Sequence, residues 1–274
     1  MSVSRLTEVH KNEKNLPKRL PRPSISLWLA LLTFLILFVH GLYGAEVSLH
    51  RLGQGMLNVG IFTAEAFPPD LDRWPFIANA MLETFQMALV GVVFGVVFSL
   101  PFALACAPNT TPHNLIRFIA VNLVAVFRTI PDLVWALIFV VAVGLGPLAG
   151  ILAIMMDTIG FCARFFAERI EETDPRPAQA LTASGCGKTA VIFASIIPEC
   201  MASFIATSLY SVEKAVRSAV VLGLVGAGGI GVELSAAMNL FRYDQALTII
   251  LTILAVVIAV EQLSGWIRSR LISR

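Results

Sequence analysis

Residues 87–107 read MALVGVVFGVVFSLPFALACA, with no charged side chain among them. An apolar run of this length meets the roughly 20 residues that a helix needs to cross the hydrocarbon core of a bilayer. Working outward, residues 78–86 lead into this run, and comparable runs occupy 25–43, 115–143, 148–167, 189–212 and 245–266. The charges collect between them. Residues 46–75 hold His50, Arg51, Glu65, Asp70, Asp72 and Arg73, and the longest polar stretch between the second and fifth runs is 168–188. The chain as a whole agrees: its 274 residues are 57% apolar and only 14% charged, with a mean hydropathy of +0.80. Soluble domains carry about a quarter charged residues. The expected fold class is therefore an all-α membrane protein of about six transmembrane helices.

The net charge of +2 matters less than where the basic residues sit. Arg5, Lys11, Lys14, Lys18, Arg19 and Arg22 precede the first apolar run, and Arg268, Arg270 and Arg274 follow the last. Lys and Arg flank membrane spans on the cytoplasmic side, so both termini are expected in the cytoplasm and the number of crossings is even. The domain plan is then a cytoplasmic basic tail at 1–24, a first transmembrane helix with an extracytoplasmic connection at 25–77, a transmembrane domain at 78–267 and a cytoplasmic tail at 268–274. A nucleic-acid-binding arm is the other reading of the N-terminal cluster, but no aromatic residues interleave with it and a span follows at once. Residues 25–45 are long enough to span and lack an A-x-A-like site after them, which reads as an uncleaved helix.

Three places break the simple pattern. Pro131, within FRTIPDLVW at 127–135, should kink or break the third helix. Pro198 and Glu199 interrupt the fifth. The run VLGLVGAGGIG at 221–231 is charge-free but dense in glycine, which argues for short helical pieces with close backbone packing.

Little in the chain points to an enzyme. Cys106, Cys162, Cys186 and Cys200 have no ligand-like spacing, and His10, His40, His50 and His113 are scattered, so neither a metal site nor a nucleophile with its base is expected. The string TASGCGKT at 182–189 approaches the phosphate-binding pattern G-x-x-x-x-G-K-[ST], but Thr182 stands where the first glycine belongs and no strand is expected before it. The chain itself is thus expected to bind no cofactor. The same segment reads better as a short interfacial helix on the cytoplasmic side. Asp174 is suited to the N-cap, Pro175 to the first helical position, 178–183 to the helix, and Gly185 to a left-handed turn that ends it.

That segment resembles the cytoplasmic signature of type I ABC importer permeases, E-A-A-x-x-x-G-x9-I-x-L-P. Gln179, Ala180, Leu181 and Gly185 match it, and Ile197 and Pro198 close it at the right distance. Gln179 replaces the usual glutamate, and Ser195 stands where isoleucine is preferred. Within that group the chain is similar to phosphonate-type permeases over most of its length after Ala78, chiefly at 127–150, 159–175 and 216–234. The resemblance implies the type I importer permease fold, a homodimer, and two cytoplasmic ABC ATPase subunits that bind the ATP and magnesium. These would dock on a coupling helix at about 172–188 through Asp174, Gln179, Ala180, Leu181 and Gly185. It also implies an extracytoplasmic phosphonate-type binding protein, alternating access in an inner membrane, and a small phosphorus oxyanion such as phosphonate, phosphite or hypophosphite as cargo.

Two arginines and one loop are candidates to meet that anion. Arg128 lies inside a membrane helix, where an arginine costs about 2.5–3.5 kcal/mol on insertion scales and seldom faces lipid. It either draws the oxyanion along the pathway or pairs with Asp132 or Asp157. Arg217 stands beside the glycine-dense run, whose backbone amides around Gly226, Gly228 and Gly229 either form an anion-holding nest or simply allow close packing. Glu199 and Glu213 read as partners of basic residues or as gate latches. The rival from another class is an ATP-independent secondary anion transporter. It calls for paired broken helices in corresponding halves, and the sequence has no such internal repeat.

Overall fold

A computed structural model describes residues 24–45 and 48–272. The basic residues expected in the N-terminal tail, and Arg274, lie outside the described residues. The chain divides into two units, residues 1–61 and 62–274. In the first, α1 (Ile25–Gly44) has no buried residue, and Phe34, Leu37 and Phe38 are all more than half exposed. Lipid is the solvent in which such a surface carries no cost. The helix α2 (Leu49–Ala66) follows, in a segment expected only as a connection. Its mixture of Arg51, Asn58 and Glu65 with apolar residues conceals a helical period from the sequence.

The second unit is built on a pair of helices, α3 (Trp74–Cys106) and α6 (Pro147–Glu171). Their register is legible from the glycines. A Cβ on Gly91 would lie 2.8 Å from Ile154 Cβ, and one on Gly95 would lie 2.5 Å from Thr158 Cβ, while Gly150 backs onto Met87. Each contact advances four residues on both helices, so the two run parallel with matched i, i+4 ridges. Gly91-x-x-x-Gly95 is the small-residue spacing that lets membrane helices approach closely.

Parallel α3 and α6 require the chain to cross back between them. Two shorter helices do so, α4 (Asn114–Thr129) and α5 (Asp132–Val143), bent by 91° at Pro131. The break is sharper than a proline kink because Pro131 has no N–H to offer and Ile130 is driven to an extended conformation, φ −78°, ψ 120°. With this pair as one broken span, α1, α3, α6, α8 and α10 bring the described residues to six.

The fifth span is longer than expected. α8 runs from Lys188 to Gly223 without stopping at Pro198. A π-helical turn, Ile192–Ile196, sits just ahead of that proline and takes up the hydrogen bond that it cannot make. The charges at 213–217, beyond the apolar run expected at 189–212, are thus on this helix. A glycine-rich loop leads to the short α9 (Ile230–Asn239), and α10 (Tyr243–Ile272) completes the unit. The short helical pieces expected at 221–231 are instead the end of the long α8, a non-helical loop at 224–229 and the start of α9; the close backbone packing expected there is present.

The core lies in two parts along the bundle. One packs Val92, Ile154, Leu222, Ile230 and Ile249 toward the end where α6 starts; the other packs Cys106, Val124, Phe166, Ile170 and Phe204 toward the end where α6 stops. Between α6 and α8, at this second end, hangs the short α7 (Pro175–Ala183).

Candidate functional site

The sequence of α7 dictates both of its ends. At the N-terminus, the Asp174 carboxylate accepts the Arg176 backbone N–H at 3.0 Å and, in the same residue, the guanidinium at 2.6–3.0 Å. The Arg176 guanidinium and then its N–H hold this carboxyl below the usual carboxylate range. The cap is therefore charged at neutral pH. At the C-terminus, Gly185 has φ +85°. Its N–H donates to Thr182 O at 3.0 Å while Cys186 N–H donates to Leu181 O at 3.1 Å, the paired bonds of a Schellman ending that a glycine at this position makes inexpensive. No residue of α7 is buried. The N-cap and left-handed turn expected from sequence are thus both in place.

What fixes this stub to the bundle is polar. Asp174 N–H donates to Glu199 Oε1 of α8 at 3.3 Å, so Glu199 holds a backbone amide rather than the basic side chain expected of it. Lys188, at the start of α8, donates from Nζ to Thr111 O at 2.7 Å, and Asn109 donates to Ile170 O at 2.7 Å. The lysine of the pseudo phosphate loop is therefore committed to the α3–α4 turn, and α7, not a strand, precedes it. Beneath α7 lies a groove of about 870 Å3 bordered by Asp174, Gln179, Lys188 and Ile192. Gln179, Ala180 and Gly185 are exposed and Leu181 is half-buried.

A second cavity, of about 520 Å3, opens between α4 and α6 and brings together Arg117, Arg128 and Arg164 with Glu168 and Glu171. Arg164 pairs with Glu168 at 2.6 Å and Arg117 reaches Glu171 at 3.8 Å. Arg128 pairs with neither Asp132 nor Asp157, as the sequence had allowed; among the described residues no carboxylate lies within 4.0 Å of it. Asp157 is occupied by Lys214 of α8, whose Nζ is 2.8 Å from both of its oxygens. Asp132 accepts the N–H of Leu133 at the start of α5. Neither Lys214 nor the joining of three arginines was foreseen. The signal was available in the lone charges Asp157 and Arg164, each set among apolar neighbours.

Arg217 is the partner of Glu213 on its own helix, at 2.9 Å, and Arg268 of α10 approaches the same carboxylate at 3.7 Å. Glu213 is a nearly buried acid held between two bases, as expected. The glycine-rich loop does not form the anion nest. Gly226 N–H donates to Gly223 O and Ala227 N–H to Leu222 O, Gly229 N–H donates to Glu83 Oε1 at 3.2 Å, and Ile230 N–H to Thr84 Oγ1 at 2.7 Å. With these amides engaged, Gly226, Gly228 and Gly229 serve close packing against α3, Leu145 and Pro147.

Residues 99–273 match the family described as binding-protein-dependent transport system inner membrane component. The chain is 38% identical over 216 residues to the phosphate-import permease protein PhnE of Mycolicibacterium smegmatis, a match that takes in 78% of this chain and 40% of that one. It is 36% identical over 215 residues to the phosphite transport system permease protein PtxC of Stutzerimonas stutzeri, over 78% of each chain. Its fold is similar to that of a chain in the inward-facing MetNI methionine ABC transporter, with a TM-score of 0.65 at 20% identity over 74% of this chain and 99% of the other.

Proposed function

Since the chain belongs to the family of binding-protein-dependent transport system inner membrane components, we propose that it is the permease subunit of an ATP-driven type I importer whose cargo is phosphonate or a related small phosphorus oxyanion. In this reading two copies form the pathway, and two ABC ATPase subunits, which bind the ATP and magnesium, dock on α7 at the cytoplasmic face. A binding protein delivers cargo at the opposite face. Both termini lie in the cytoplasm. The observation that carries the reading is α7 itself, a helix with no buried residue, capped at both ends and hung between two spans. Its cap amide is tied to α8 through Glu199 and the chain after it to the α3–α4 turn through Lys188. A displacement of such a stub by a partner is passed to three spans at once.

ATP binding to the partner pair shifts the bundle between outward-open and inward-open arrangements only as far as the partners bind the two differently. Within the pathway, Arg128, which has no carboxylate within 4.0 Å among the described residues, offers a cation to the anion. Arg217 and Arg268 share one carboxylate, so one of them is free to turn toward a passing oxyanion. The cargo class follows the relatives named for phosphate and phosphite import.

The test is uptake into proteoliposomes that contain the permease with its ATPase, supplied with binding protein outside and ATP inside. Phosphite, methylphosphonate or inorganic phosphate is expected to accumulate only with ATP and ATPase present, and methionine is not. Uptake by the permease alone, driven by an ion gradient, would instead establish a secondary transporter.

A further inference from the structure

The groove between α4 and α6 contains more than one isolated arginine. α4 climbs from the α7 end of the bundle and α6 descends toward it, so heights can be read from the helical rise of 1.5 Å per residue. Arg117 and Glu171 mark the α7 end, where they approach each other at 3.8 Å. Arg164 stands about 10 Å above Glu171 along α6, and Arg128 stands about 16 Å above Arg117 along α4. Gly160 confirms the second height, because its Cα faces the Arg128 backbone closely enough that a Cβ would lie 2.9 Å from Arg128 N. The backbones of Arg117, Arg164 and Arg128 therefore stand at heights separated by about 10 Å and 6 Å, and all three residues border one cavity of about 520 Å3. That space is more than ten times the roughly 30 Å3 that a water molecule occupies in the liquid.

From this arrangement we infer that Arg117, Arg164 and Arg128 form a ladder that binds a phosphorus oxyanion group within the α4–α6 groove and passes it between the α7 end and the centre of the bundle. The inference rests on the importer reading and gives it a defined route. Guanidinium suits the ligand because its planar fork donates two parallel hydrogen bonds to phosphate-type oxygens. The graded pairing suits passage. Arg128, farthest along α4 from the α7 end, has no carboxylate within 4.0 Å among the described residues, whereas Arg164 holds Glu168 at 2.6 Å and Arg117 reaches Glu171 at 3.8 Å and donates to Cys106 O, so the grip on an anion is strongest at Arg128 and weaker at the two paired arginines. With three cations against two carboxylates the groove keeps a net charge of +1. A pathway needs this balance, attractive enough for entry and weak enough for departure. The same chemistry belongs to the head group of an anionic lipid, which basic pockets between membrane helices also hold.

The experiment uses the complete transporter, permease with ATPase and binding protein, carrying Arg117→Gln, Arg128→Gln or Arg164→Gln. It is run in bilayers of phosphatidylcholine alone and in bilayers with added phosphatidylglycerol. Wild-type uptake of phosphite or methylphosphonate comes first; its absence would count against the importer reading and not against the ladder. Given that uptake, the ladder predicts at least a tenfold loss in each variant in phosphatidylcholine alone. Binding-protein-stimulated ATP hydrolysis should stay within about twofold of wild type, and Arg128→Lys should recover part of the uptake. If uptake is unchanged but the variants lose a thermal stabilisation that phosphatidylglycerol gives to wild type, the oxyanion group in the groove is a lipid head group. If the variants match wild type in both uptake and lipid response, the inference is overturned.

Discussion

Lys214 donates from Nζ to both carboxylate oxygens of Asp157 at 2.8 Å, and its ammonium lies 5.3 Å from the centre of the Phe161 ring. This pair joins α6 to α8, the two spans from which α7 hangs. A charge at this depth is tolerated because its partner is present, so removing one partner is worse than removing both. Asp157→Asn is expected to destabilise the purified permease by about 1–3 kcal/mol, less than for a fully buried pair because the two side chains remain 22% and 36% exposed. The double variant Asp157→Leu with Lys214→Met should recover most of the loss. Thermal unfolding in detergent measures both, and an unchanged midpoint for Asp157→Asn would remove the pair from the account.

At Gly160 the backbone of α4 meets α6. A Cβ there would lie 2.9 Å from Arg128 N and 3.0 Å from Phe127 C, main-chain atoms that have no rotamer by which to withdraw. Gly160→Ala should therefore cost about 1–3 kcal/mol as an overpacked contact. Gly265→Ala, in α10 with nothing within 4 Å of the added carbon, should be neutral or stabilising by up to about 1 kcal/mol. The same unfolding assay separates them.

Gly185 is a different case, because nothing lies within 4 Å of its missing Cβ while its φ is +85°. Any cost of substitution is conformational, roughly 1–2 kcal/mol for a side chain held left-handed, and falls on the ending of α7 rather than on the bundle. Gly185→Val is expected to reduce ATP-driven uptake at least tenfold with the unfolding midpoint of the bundle unchanged. Gly185→Asn, a residue that accepts this conformation, should retain most of it. Equal uptake by the valine variant would show that the turn plays no part in coupling.

Much of this architecture was legible because lipid imposes one requirement on a long segment, an apolar surface. The uncharged run at 87–107, the proline at 131 and the cap and turn of α7 each act within a few residues of themselves, and sequence reads local chemistry well. What escaped depends on distant partners. The sequence stopped the fifth helix near Val212 because Glu213, Lys214 and Arg217 look like a surface segment. In the fold they stay helical because Asp157, Glu213 and Arg268 supply counter-charges from three helices. Gly91-x-x-x-Gly95 was visible, but its partners Ile154 and Thr158 were not. The glycine-rich loop was read as a candidate nest because its donors are local, whereas the Glu83 and Thr84 acceptors that satisfy them come from α3.

Coupling of ATP hydrolysis to the bundle requires α7 to face the cytoplasm and carry the ATPase. Cys186, just beyond its Schellman turn, is half-buried, while Cys106, Cys162 and Cys200 are buried, which makes Cys186 a native reporter for that surface. Labelling with a membrane-impermeant maleimide should modify Cys186 in inside-out vesicles and not in intact cells. Bound ATPase should slow the reaction several-fold. Labelling of Cys186 from outside intact cells, or a rate in inside-out vesicles that the ATPase leaves unchanged, would contradict the proposal that this stub couples ATP hydrolysis to the bundle.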